Sequence, residues 1–98
     1  MPTPIDFLKA TVAAFKETLG QTPPTQKNDL VSIHSGKHFN DLLAKIKVEA
    51  PEAAGHLPPP ITWTTDFALM GKSDIKFLEL EMYVNQVVHV LNVLASDV

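Results

Sequence analysis

Apolar residues recur in steps of three and four at both ends of the chain, and this spacing predicts its two strongest helices. Near the start, Ile5, Leu8, Val12, Phe15 and Leu19 fall on one helical stripe. Thr3 stands where an N-cap belongs, and Pro4 suits the first helical position. Asp6 follows Thr3 by three residues, close to a capping-box arrangement. Gly20 and the Pro23-Pro24 pair then stop the helix, which is expected from Pro4 to Leu19. At the other end, Phe77, Leu80, Val84, Val87, Leu91, Leu94 and Val98 make a heptad seam. Ser73 reads as its cap and Asp74 as a favourable first-turn acid, giving a helix to about Ser96.

Between these helices the pattern is weaker. Residues 20 to 28 (GQTPPTQKN) read as a loop. The segment from Asp29 to His38 suits either a helix or an extended run through Val31 to Ile33. Phe39, Leu42, Leu43 and Ile46 restore helical spacing, so a helix is expected from about Gly36, or earlier, to Val48. Gly36 inside such a helix costs about 1 kcal/mol relative to Ala. Residues 49 to 60 (EAPEAAGHLPPP) form a connector with room for one helical turn at Pro51 to Ala54, and Pro58 to Pro60 must be extended. This proline run serves as a stiff spacer or as a ligand for an aromatic groove. Ile61 to Thr65 (ITWTT) has β composition, with only the segment 30 to 34 as a strand partner and Trp63 as its anchor to the core. Thr65 and Asp66 can cap a short helix through Met70, ended by Gly71. The fold class expected is mainly α, a single domain over residues 1–98. It is a small bundle of three to five helices with a long C-terminal helix and a minor two-stranded β-ribbon.

Composition narrows the classes of partner. Of 98 residues, 45% are hydrophobic and 19% charged, below the roughly 25% charge of an ordinary domain. That deficit points to an efficient core or to a surface that a partner covers. The net charge is −3 and every base is Lys, with no Arg, which disfavours nucleic acid as a partner. There is no cysteine, so disulfides and thiolate sites are excluded and a cytoplasmic setting is favoured. The stretch MPTPIDFLKATVAAF lacks the regions of a signal peptide, and no run is long and apolar enough for a membrane span.

Motifs for catalysis are thin. His34 and His38 are four apart and share a helical face if that region is helical, but Gly36 intervenes and no zinc-peptidase Glu is present. A third ligand would have to come from Glu49, Glu52 or His56, so no metal or cofactor is expected. A small metal- or ligand-binding helical protein built on this pair and nearby carboxylates is the alternative function. Glu79 and Glu81 lie on different helical faces and make no acid–base pair. Gly71-Lys72-Ser73 has the order of a phosphate loop and is read as opening a helix. Asp66 stands where its first glycine belongs, and Phe67, Leu69 and Met70 add bulk, so nucleotide binding is not expected. The chain reads as no enzyme.

The C-terminal helix carries the strongest functional lead. Its apolar residues fill an arc of about 160°, wider than an ordinary amphipathic stripe, and Leu78, Met82 and Val93 lie outside it. From Met82 to Ser96 there is no Asp, Glu, Lys or Arg. The opposite face carries Asn85, His89 and Asn92, which can hydrogen-bond across a helix contact at lower desolvation cost than full charges. His89 there is either a hydrogen-bonded group or a pH-sensitive one. The expectation is a protein–protein interaction module (adaptor, regulator, inhibitor or assembly subunit). Its partner is another protein chain, as a homodimer or an obligate complex, bound through Met82, Asn85, Gln86, His89, Asn92 and Val93.

Overall fold

The computed structural model describes residues 3–64 and 68–96. Helix α1 spans Pro4–Gly20, and its start is a full capping box. The Thr3 hydroxyl accepts from the Asp6 amide at 3.2 Å, and the Thr3 amide donates to the Asp6 carboxylate at 2.9 Å. These two bonds hold the Asp6 carboxyl below the ordinary carboxylate value, the backbone bond from Thr3 contributing most. A 3-10 turn at Pro24–Gln26 leads to strand β1 (Leu30–Ser32) and directly into helix α2 (Ile33–Glu49). The ambiguous segment is thus both things at once, three residues of strand and then helix. Ser32 is the junction, its hydroxyl accepting from the Ser35 amide as the N-cap of α2.

A 3-10 segment, Pro51–His56, extends the single turn expected there. Strand β2 (Lys72–Lys76) then runs into helix α3 (Phe77–Ser96). β1 and β2 pair antiparallel, Leu30 opposite Lys76 and Ser32 opposite Lys72, with an irregularity between them. The fold is therefore a small, mainly helical one with a two-stranded ribbon. The expected short helix capped by Thr65 or Asp66 begins outside the described residues. Gly71, the stop expected for it, has a φ of +72°, which suits glycine at the turn into β2.

Four expectations need correction here. Ser73 and Asp74 do not start the last helix; they belong to β2, and Ser73 is wholly buried. The helix starts at Phe77 because its first amides find backbone partners. Phe77 N–H donates to the Asp29 carbonyl at 3.1 Å and Leu78 N–H to the Lys27 carbonyl at 3.0 Å. The Glu79 carboxylate accepts from the Lys76 amide, half of a capping box. Second, the Gly71-Lys72-Ser73 triplet opens a strand rather than a helix, so it offers no ring of free helix amides to a phosphate. Third, among its described residues ITWTT is not a strand of the ribbon. It runs beside β2 through one backbone bond, Asp74 N–H to the Thr62 carbonyl at 3.0 Å.

The connector's anchor is also Ile61 rather than Trp63. Ile61 is buried, whereas Trp63 is half-buried with the Lys37 ammonium 5.8 Å from its ring centroid. The Asn40 side chain clamps Ile61 from both sides: its amide donates to the Ile61 carbonyl at 2.8 Å, and its oxygen accepts from the Ile61 amide at 2.7 Å. Gly36, one turn earlier on α2, makes room for this approach. A Cβ there would sit 3.1 Å from Ile61 Cγ2.

One apolar core joins α1 (Leu8, Val12, Leu19), the ribbon (Val31, Ile75), α2 (Phe39, Leu42, Leu43, Ile46) and α3 (Leu80, Val84, Val87, Leu91). A smaller cluster sets Ala50 and Ala53 against Val90, with Ile5, Leu57 and Leu94 beside them. The 3-10 segment therefore lies along the C-terminal half of α3. Lys27 and Glu81 form an ion pair that ties the loop before β1 to the first turns of α3.

Candidate functional site

The six residues expected to meet a partner, Met82, Asn85, Gln86, His89, Asn92 and Val93, are all exposed on α3. The inner seam behind them is closed by the chain's own core, with Leu80, Val84, Val87 and Leu91 each no more than 1% exposed. So the wide apolar arc is mostly accounted for within the domain. What remains outside is a narrower strip. It includes a residue that the reading of the sequence left out of its site, Leu78, 49% exposed at the foot of the helix. Leu78, Met82, Asn85, His89 and Asn92 follow one another in steps of four, three, four and three, a second heptad seam on the outer side. That spacing was the signal available in the sequence.

The strip is a ridge between two grooves. On one flank α3 packs against α1. Lys9, Val12 and Ala13 share a groove of about 440 Å³ with Val88, Leu91 and Asn92. A smaller one beside it is lined by Lys16, Leu19 and Gly20 opposite Glu81, Val84 and Asn85. Falling numbers on α1 meet rising numbers on α3, so the two helices are antiparallel. The first groove has an apolar floor, with Lys9, Lys16 and Glu17 on its α1 wall. The second flank is the 3-10 segment. Glu52, Ala53 and His56 face His89, Val90 and Val93 across a cleft of about 390 Å³. Gln86 bridges this flank, its side-chain amide donating to the His56 carbonyl at 2.8 Å.

No protein-family model, curated protein or solved structure matches the chain. The geometry alone carries the functional argument.

His34 and His38 do lie on one helix, in a groove between α2 and α1 that Phe15 also lines. The His38 ring packs against Phe15 with centroids 5.4 Å apart, an aromatic contact at the helix crossing. Glu49, Glu52 and His56 do not join the pair. Among the described residues no three His, Cys, Asp or Glu side chains are grouped so that they could hold a metal ion. Among the described residues, too, no helix is long and apolar enough to cross a membrane.

Proposed function

We propose that this chain is a non-enzymatic protein–protein interaction module that associates with a second copy of itself through the outer face of α3. The carrying observation is the ridge itself. Leu78, Met82 and Val93 are 49%, 66% and 48% exposed, and no charged side chain interrupts the helix from Met82 to Ser96. A solvent-facing helix surface ordinarily carries Lys and Glu, which oppose association. The cores of protein interfaces are instead depleted in charge and enriched in Met. A cytoplasmic setting, where small domains without disulfides are common, belongs to the same proposal.

Sedimentation velocity over a wide concentration range tests it. Wild type is expected to show a reversible monomer–dimer equilibrium. Asn85→Lys combined with Asn92→Lys is expected to weaken it by at least about tenfold, because two like charges per copy enter the contact. Helical content stays unchanged, since both side chains lie outside the core. A wild type that remains monomeric at high concentration overturns the proposal.

A further inference from the structure

The two flanks of the ridge differ in charge, and that difference decides how two copies can meet. A stable pair needs roughly 800 Å² from each partner, against 6186 Å² of accessible surface on the described residues. One ridge of a 20-residue helix, roughly 30 Å long, is narrow for that area, so the flanks must enter the contact as well. Two-fold symmetry then leaves two face-to-face arrangements. With the dyad across the helices, the α3 ridges run antiparallel and each flank meets its own copy. Heights invert under this dyad, so Lys9 and Lys16 meet the partner's α1 wall, where lysines outnumber the one carboxylate of the groove, Glu17, and Glu52 meets a cleft that holds no lysine. With the dyad along the helices, the ridges run parallel and the α1 flank of one copy meets the 3-10 flank of the other.

Resting on the self-association reading above, we infer that the copies pair in parallel, the dyad running along α3, with Lys9 of each copy against Glu52 of the partner subunit. The heights agree. Lys9 shares its groove with Asn92, and Glu52 shares its cleft with His89 and Val93, so both stand beside the last turns of α3. A dyad along the helix keeps height, and the two charges therefore face each other twice in the dimer. Glu17 sits lower on α1, next to Lys16, which also lines the smaller groove with Val84 and Asn85. His56 lies at the level of Gln86, its carbonyl accepting from that side chain, so Glu17 faces the partner's His56 rather than a carboxylate. The ridge fits the same symmetry. Its four-three spacing sets Leu78, Met82, Asn85, His89 and Asn92 each against its own copy, and Asn layers in parallel helix pairs fix register and strand number.

Charge exchange tests the flanks. Lys9→Glu and Glu52→Lys are measured separately and as an equimolar mixture by sedimentation velocity. Each variant alone turns two attractive pairs into two repulsive ones and is expected to raise the dimer dissociation constant roughly tenfold. In the mixture both pairs are attractive again, so the heterodimer is expected to regain wild-type affinity. The chain has no cysteine, which permits a second test. Leu78→Cys and His89→Cys, made separately, are both expected to oxidise to cross-linked dimers. The two positions lie about 16 Å apart along the helix, and a disulfide needs Cα atoms within about 7 Å. An antiparallel pair can therefore cross-link at one of them at most. If wild type associates but Lys9→Glu tightens it or leaves it unchanged, or only one cysteine variant cross-links, the parallel arrangement is wrong and self-association stands. If wild type is monomeric throughout and neither cysteine variant cross-links, both fail together.

Discussion

Leu80 and Ser73 stand seven residues apart and both are wholly buried, yet different forces hold them. Leu80 is one of four apolar residues along the inner seam of α3, placed by removing its surface from water. Many neighbours share that burial, and none of them must be oriented. Ser73 is held by direction. Its hydroxyl donates to the Val31 carbonyl at 2.7 Å, where the ribbon's register is irregular. The segments around it depend on directed bonds too: Asn40 on both polar groups of Ile61, and the Asp74 carboxylate on Thr62 and Thr64. One part of the molecule is periodic and the other is clamped. The periodic part should tolerate changes that keep apolar volume, and the clamped part only changes that keep donors and acceptors in place.

The largest effect should come from the periodic part. Leu80→Ala removes a fully buried side chain at the start of the seam and is expected to cost about 3 kcal/mol in urea unfolding, within the usual range for core truncations. Leu80→Met, which keeps volume, should cost under about 1.5 kcal/mol. If the two variants are equally destabilised, the seam is not governed by packing.

Next comes the clamp. Asn40→Ala leaves the amide and carbonyl of Ile61 without their side-chain partners and should cost about 2 kcal/mol. Hydrogen exchange locates the damage: the Ile61 amide should exchange faster while amides in the middle of α1 keep their protection. Uniform loss of protection would mean that Asn40 matters to the whole domain rather than to the connector.

This division also explains what could be read from the chain. α1 and the body of α3 announce themselves because burial repeats every three or four residues, and Thr3 and Asp6 make a local cap that the spacing reveals. Ser73 and Asp74 mislead because they have the residue types of a helix start. Their real partners, Val31, Thr62 and Thr64, are distant in sequence. The ambiguous stretch before α2 divides at Ser32 because β2 arrives from forty residues away to pair with it. Met82, Asn85, Gln86, His89, Asn92 and Val93 were legible as one helical face. The flanking Lys9 and Glu52 were not, since only the packing of α1 and the 3-10 segment brings them beside α3.

A smaller effect is expected where clamp and helix conflict. Gly36→Ala should gain about 1 kcal/mol from helix propensity. The new methyl would meet Ile61 Cγ2 at 3.1 Å, and the Asn40 bonds oppose any retreat of the Ile61 backbone. Overpacking of this kind costs about 1–3 kcal/mol, so a net loss of about 1 kcal/mol is expected. In an Asn40→Ala background Ile61 can retreat, and the same substitution should become nearly neutral. A net gain in the wild-type background would show that the close approach is soft.

The smallest effect concerns Asp74, and its sign follows from its bonds. The Thr64 amide donates to the carboxylate at 2.9 Å and the Thr62 hydroxyl at 3.0 Å. Together they hold its carboxyl below the ordinary value of 3.8, the backbone bond from Thr64 foremost. A carboxyl lowered by folding stabilises the native state in full above its unfolded value, and that share is lost as pH falls through the folded one. Asp74→Asn keeps an oxygen to accept from the Thr64 amide but cannot titrate. Wild type should therefore exceed the variant in urea midpoint near neutral pH, and the gap should close below about pH 4. Asp6, which is lowered in the same way, is present in both proteins and cancels from the difference. A gap that stays constant into acid would mean that the charge on Asp74 does not contribute to holding the connector against β2.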